Sequence, residues 1–388
     1  MLHAPTFPSP VLLRFLGAVL LLGRMGTAAV ADSPPRVFAN PYAGVPWADT
    51  RPIRANLHTH TTYSDGEFAP HEAIDLYRKL GVRILALTDH DTDHYDARPA
   101  ILFPWTRLDA VFEEIKNSPN PSWLRQGRRF GEFTGPWENR DPEELGMLAI
   151  PGLEVSRPHH ISSLFCDYAG NTTSEETALT EIGRRGGLAV FLHPGRYSFS
   201  DDWYLDFYRR HPHLVGIEVF NQNDRCPEDR KLWDRLLHRL LPERPVWGFV
   251  GDDMHVTDHL GWNLTILPLQ KLSESAVRSA LESGAFYLYR PKTQMAPPSL
   301  DVTGIDAAPD RIRLEIEGDV HAIDWITFDP DTGQSVVFHT GAELAMADVP
   351  LTAKFARARI RGPRGTTYTQ PFAVRVRPGT AHHSSSSR

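Results

Sequence analysis

The chain has 388 residues, 41% of them hydrophobic, and a formal net charge of −7. That length can bury a large core and predicts a division into two domains, while the acidic balance argues against bulk nucleic acid as a partner. A small anionic substrate stays compatible with an acidic site wherever divalent cations reverse the field locally. The only cysteines, Cys166 and Cys226, are too few for a disulfide framework and leave two readings open, one pair in an exported chain or two free thiols.

Residues 1–31 carry a secretory pattern: Arg14, an apolar run over 15–22, then the small residues Ala29, Val30 and Ala31. The run is shorter than the roughly 20 residues that span a bilayer, so cleavage, export to the periplasm or medium, and no stable membrane span are expected. Cleavage would remove Arg14 and Arg24 and no acid, leaving the mature chain more acidic still. Residues 32–50 show no period and predict an irregular lead-in.

A catalytic domain is expected over 52–290. Its first strand leads into His58, Thr59 and His60, where strand alternation puts two imidazoles on one face. The spacing of Ala73, Ile74, Tyr77 and Leu80 predicts a covering helix, with Pro70 near its start and Gly81 past its end. The apolar run 82–87 predicts a buried strand ending in Thr88, Asp89, His90, Asp91 and Thr92. Together these make a βαβ unit with its polar residues at the carboxyl ends of the strands.

An insert over about 95–145 breaks the rhythm and holds Trp105, Trp123, Trp137, Arg125, Arg128 and Arg129. It is too long for an ordinary connection, and serves either as a lid over substrate or as a packed insertion. Strand and helix signals resume around Glu154, His159 and His160, then as a helix over 174–185 and a strand over 188–192 ending at His193. Further elements are expected over 203–210, 215–220, 231–241 and 246–250, the last ending in Gly251, Asp252, Asp253, Met254 and His255; a strand over 263–267 and a helix over 273–283 follow. Beyond residue 291 the helical period disappears. Alternation over 311–317 and 322–328, a turn at 331–333, and runs at 336–339, 353–360 and 372–376 predict a small antiparallel, sandwich-like β-domain over 298–378. A disordered tail is expected over 379–388.

Strand-end positions gather His58, His60, Asp65, His90, Glu154, His160, His193, Asp253 and His255. One histidine alone is more often scaffold than ligand, but nine such positions converging point to a metal site. Imidazole and carboxylate donors without thiolate suit zinc, manganese or iron, and a carboxylate able to bridge suggests more than one ion. Clustered ions imply hydrolysis, with a hydroxide bridging two of them as nucleophile and Glu154 and Asp253 fixing that pair. Arg196 follows His193, Pro194 and Gly195 and either reaches a substrate oxyanion or is scaffold, exposed beside the turn or paired with Asp201 or Asp202.

Six motifs carry a resemblance: His58-Thr59-His60, Ser64-Asp65-Gly66, Thr88 to Thr92, Pro151-Gly152-Leu153-Glu154, His193-Pro194, and Gly251-Asp252-Asp253-Met254-His255. In this order they resemble the motifs of the PHP (polymerase and histidinol phosphatase) superfamily. The resemblance implies an α/β fold, a distorted (β/α)7 barrel, and a trinuclear site hydrolysing phosphate esters. It also implies that His58, His60, Glu154 and Asp253 hold one ion, Glu154, His160 and His193 a second, and Asp65, His90 and His255 a third. His160 is preferred to His159, and Asp253 to Asp252, by their places in the motifs. The segments 216–221 and 280–287 and the trailing β-domain are similar to carbaryl-hydrolase-like relatives, which keeps carboxyl ester, amide and carbamate bonds beside a small phosphorylated compound as substrates. A non-catalytic binding protein is the reading from another class.

Overall fold

A computed structural model describes residues 35–62, 64–91, 140–156, 158–166, 168 and 174–375. The expected signal segment, the bulk of the 95–145 insert with its tryptophans and arginines, and the terminal tail lie outside them. The first strands are β1 (Arg36–Ala39), β2 (Arg51–Asn56), β3 (Val82–Leu85), β4 (Leu148–Ala149), β5 (Gly152–Val155) and β6 (Ile161–Leu164). There follow β7 (Leu188–Phe191), β8 (Leu214–Asn221), β9 (Trp247–Gly251), β10 (Leu264–Leu269) and β11 (Tyr287–Pro291).

The βαβ unit forms as its residues dictate. The helix Pro70–Lys79 starts with proline in its first turn, and Glu72 reaches back to the Ala69 amide (2.8 Å). It ends before Gly81, whose φ of +79° suits a residue without a side chain. Ala73, Ile74 and Tyr77 are buried, and β2 and β3 pair in parallel, Asn56 opposite Leu85.

The expected (β/α)7 barrel does not close among the described residues. One sheet has the order β5-β6-β7-β8-β9, and another includes β4-β3-β2-β10-β11. Connection length explains the departure. A parallel crossover takes a dozen or more residues, but only the short segment 156–160 separates β5 from β6, which therefore pair antiparallel. β10, which follows β9 after the segment 252–263, lies antiparallel to β2. The two sheets meet at isolated parallel bridges, Thr59 with Met254 and His90 with Glu154. Both bridges fall among the motif residues.

The remaining strands are β12 (Leu300–Ala308), β13 (Arg311–Gly318), β14 (Ala322–Asp329), β15 (Gln334–Thr340), β16 (Glu343–Ala345), β17 (Phe355–Arg361), β18 (Gly365–Tyr368) and β19 (Phe372–Arg375). β13 alternates buried Ile312 and Leu314 with exposed neighbours, as its sequence requires. Through β11 and β18, strands β14, β15, β17 and β19 extend the sheet that contains β2, while β12, β13 and β16 form a separate three-stranded sheet. The lead-in expected to be irregular contributes β1, which pairs with β19. One apolar cluster joins Ile74 and Tyr77 to Trp325 and Phe372. No helix among the described residues is long and apolar enough to cross a membrane, and both cysteines are free.

The helix Glu228–Leu240 is tied to the later strands by a buried ion pair. Arg357 on β17 grips both oxygens of Asp234, at 3.1 Å from Nε and 2.8 Å from Nη2, and its guanidinium lies 5.0 Å from the Trp233 ring. Ser335 donates to the same carboxylate. Removing one partner would strand a desolvated charge, so Asp234→Ala should cost about 3–5 kcal/mol. Urea denaturation measures the loss; an unchanged midpoint would mean the pair contributes nothing.

Candidate metal centre

The donors assemble at the seams where the sheets meet. Past β2, His58 and His60 are almost wholly buried, with Nε2 atoms 3.3 Å apart. Asp253 Oδ1 lies 3.2 Å from the first and 3.1 Å from the second. Glu154 on β5 places Oε2 3.0 Å from His60 Nε2, 3.4 Å from His58 Nε2 and 3.2 Å from His90 Nδ1. Its other oxygen, Oε1, faces His160 and His193, the latter at 3.1 Å. One carboxylate thus serves two separate sets of imidazoles, the arrangement a bridging ligand needs.

Asp65 completes a third set. Its oxygens lie 3.2 Å from His255 Nε2, 3.5 Å from His90 Nε2 and 3.5 Å from His60 Nδ1. Within each of the groups His58/His60/Glu154/Asp253, His60/Asp65/His90/His255 and His90/Glu154/His160, one donor atom per residue lies within 4.8 Å of the others. All nine residues singled out in the sequence therefore come to one place. His159, by contrast, turns into an aromatic cluster, bonded to Tyr204 Oη (3.0 Å) and the His160 carbonyl (2.8 Å). Asp252 accepts from the amides of Gly261, Trp262 and Asn263. It therefore braces a loop beside the site.

Sequence reasoning missed Glu218, Asp89, Gln222 and Arg225. Glu218, in the otherwise apolar β8, accepts from His58 Nδ1 (3.0 Å), the His193 amide (2.9 Å) and Asn221 Nδ2 (3.0 Å). A carboxylate inside a fully buried strand was the available signal. Asp89 clamps the loop bearing Asp65, accepting from Thr61 N at 2.7 Å and Ser64 Oγ at 2.7 Å. Gln222 and Arg225 line the cavity, as does Arg196. The pairing considered for Arg196 is not formed: Asp201 binds Arg235 and Asp202 binds Arg239. Of the six non-glycine residues with positive φ among the described residues, His193, Gln222, Asp224 and Asp253 lie at or beside the site; such strain persists only where surrounding bonds over-determine it.

The electrostatics fit a cation. Burial works to lower the pKa of His58, yet Asp253, Glu218 and Glu154 hold it well above the ordinary value; His60, under the same opposition, rises to about 10. Glu154 and Asp253 stay well below the usual carboxylate range, burial being outweighed by the surrounding imidazoles. His160 falls to about 4, chiefly through burial, and so offers a neutral ring, as a ligand must. The carboxylates call for positive charge, which protons on His58 and His60 supply and divalent ions would supply better. Metal uptake at pH 7 should therefore release protons, measured as a calorimetric heat that varies with the ionisation enthalpy of the buffer; a buffer-independent heat would contradict this charge balance. Glu218→Gln, which loosens His58, should weaken metal affinity about 10–100-fold, read by competition with a chromogenic chelator.

No family model matches the chain. Over 252 residues it is 27% identical to the 5′-3′ exoribonuclease Rnm of Salmonella typhimurium, covering 52% of this chain and 84% of that protein. The 5′-3′ exoribonuclease Rnm of Escherichia coli is 25% identical over 253 residues, with the same coverage, 52% and 84%. A crystal structure of a two-domain protein containing a predicted PHP-like metal-dependent phosphoesterase, from Bacteroides vulgatus, covers 84% of this chain and 88% of its own, at 15% identity and a TM-score of 0.45. The two curated relatives are exoribonucleases, and the expected similarity to carbaryl hydrolases is not shown. The side chains of the six sequence motifs thus converge on one cluster of imidazoles and carboxylates, in a chain that is similar over about half its length to curated exoribonucleases.

Proposed function

We propose that the chain is a phosphoesterase that uses divalent ions, three in number, to cleave a terminal phosphate ester. The observation that carries this reading is Glu154, whose two oxygens face two sets of histidines at the floor of a cavity of about 440 Å³ that also presents Arg196. That volume suits a small ligand. Bound zinc, manganese or iron would acidify a coordinated water and offset charge on the phosphoryl oxygens. The chain's own part is positional. Glu154 and Asp253 fix the spacing of the donor sets, Glu218 orients His58, and Asp89 holds the loop of Asp65. Arg196, exposed where it lines the cavity, is placed to meet a substrate anion.

The substrate class has two readings. A small phosphorylated compound fits the volume of the cavity and the acidic chain. The terminus of an RNA strand is favoured by the exoribonuclease relatives, and runs partly against the expectation of no bulk nucleic acid. Net charge speaks against a broad basic groove; a single strand end asks only for the cavity. The pattern of residues 1–31 supports action outside the cytoplasm.

A panel of p-nitrophenyl phosphate, a phosphodiester, 5′-phosphorylated oligoribonucleotides, a carboxyl ester and a carbamate tests the reading. Phosphoesters should be hydrolysed, chelation should abolish the activity, and ester and carbamate should remain intact. Cleavage of the acyl substrates alone would overturn it. Glu154→Gln keeps the volume but removes the bridging charge, so turnover should fall at least about a hundredfold, with bound metal reduced in elemental analysis.

A further inference from the structure

The turn leaving β8, residues 221–225, is built wholly of polar side chains and strained at two of them. Gln222 and Asp224 hold φ of +47° and +61°, which a residue with a Cβ adopts only where its surroundings impose it. Here they do. Asn221 Nδ2 donates to Glu218 Oε2 and to Asp253 Oδ2 (3.2 Å). Gln222 Nε2 donates to the same Asp253 oxygen at 3.3 Å, and the Gln222 carbonyl accepts from Asn263 Nδ2 at 2.9 Å. Asn223 accepts from Arg290 Nη2 on β11 (3.1 Å), and Asp224 is gripped by both terminal nitrogens of Arg230. The Arg230 and Arg290 guanidiniums both lie against the Phe220 ring, at 4.4 and 5.3 Å.

Arg225 is the exception. Its amide is fixed to the Asn221 carbonyl (3.0 Å), but its side chain is 45% exposed and lines the cavity. Among the described residues its only carboxylate neighbour is Asp253 Oδ2, at 3.6 Å, too far for a hydrogen bond. Four side chains of the turn are tied down, and the fifth is aimed at the donor cluster with its hydrogen bonds unspent.

Resting on the phosphoesterase reading, we propose that Arg225 is the specificity-determining residue that binds the phosphoryl oxygens of the substrate, and that Arg230 and Arg290 are positioning residues that hold its turn. A guanidinium offers two parallel donors to two oxygens of a tetrahedral anion. A neutral acyl group presents one carbonyl oxygen and gains little from it. Arg225 thus selects phosphoryl over acyl substrates, a choice that the metal donors alone do not make.

Calorimetric titration of inorganic phosphate into the metal-loaded protein tests this, together with KM for p-nitrophenyl phosphate. Arg225→Ala should weaken phosphate binding and raise KM about 10–100-fold, as loss of a charged, bidentate contact does, with metal content unchanged. Arg225→Lys should recover part of the loss, having the charge without the fork. Arg290→Ala should shift both quantities the same way by less. Equal phosphate affinity in wild type and Arg225→Ala, or no phosphate binding by wild type, overturns the proposal. Phosphate binding that depends on Arg225 in a protein that cleaves no phosphoester would instead refute the phosphoesterase reading and leave this site standing.

Discussion

Burying carboxylates among imidazoles is the constraint on which the rest of this molecule depends. Glu154 and Asp253 are nearly inaccessible to water, and a desolvated carboxylate persists only if opposite charge or donors surround it on every side. The chain meets that demand from both sheets at once. His58 and His60 come from the end of β2, His90 from beyond β3, and His160 and His193 from the other sheet. The irregular geometry follows. Extended backbone past the regular strands is held by single bridges, and residues at the site adopt left-handed conformations, because side chains there must converge on one point instead of continuing a ladder.

A second ring of contacts carries that constraint outward. Glu218 joins His58 to the backbone of His193, and the His193 turn is held in its turn by Asp229, which accepts from the Gly195 amide (2.5 Å). Asp229 opens the helix whose Asp234 binds Arg357, so the last strands of the chain are bonded, through one helix, to the turn that bears a donor. Burial pushes the Asp229 carboxyl up to about 8, and a largely protonated acid at this point avoids placing another negative charge beside Glu218. Arg290 makes a parallel link from β11 to the turn of Arg225. The C-terminal strands are thus part of the frame of the cavity.

Most of the donors were legible in the sequence because strand ends announce themselves. An apolar run that stops abruptly at His58, His90, His193 or Asp253 marks both an element boundary and a chemical site. Separating His160 from His159 required the motif, since alternation alone places two adjacent histidines on opposite faces without saying which faces the metal. The barrel was over-read. Helical and strand periods say what an element is, while its direction depends on the length of the connection, and the short 156–160 link forbids the parallel arrangement. Glu218 and Arg225 escaped for different reasons. The first hides in a strand whose apolar character dominates the pattern, and the second is placed by a turn whose shape depends on partners as distant as Asn263 and Arg290.

The two seams also govern when the site comes into being. The His58/His60/Glu154/Asp253 set draws on both sheets, and its final member lies in the segment that pairs with Thr59 across the first seam. A growing polypeptide therefore lacks two of its three donor sets until synthesis has passed residues 253 and 255, whatever its first βαβ unit has already achieved. A truncated or proteolysed amino-terminal fragment would therefore retain the His90/Glu154/His160 donors but neither of the sets that need Asp253 or His255.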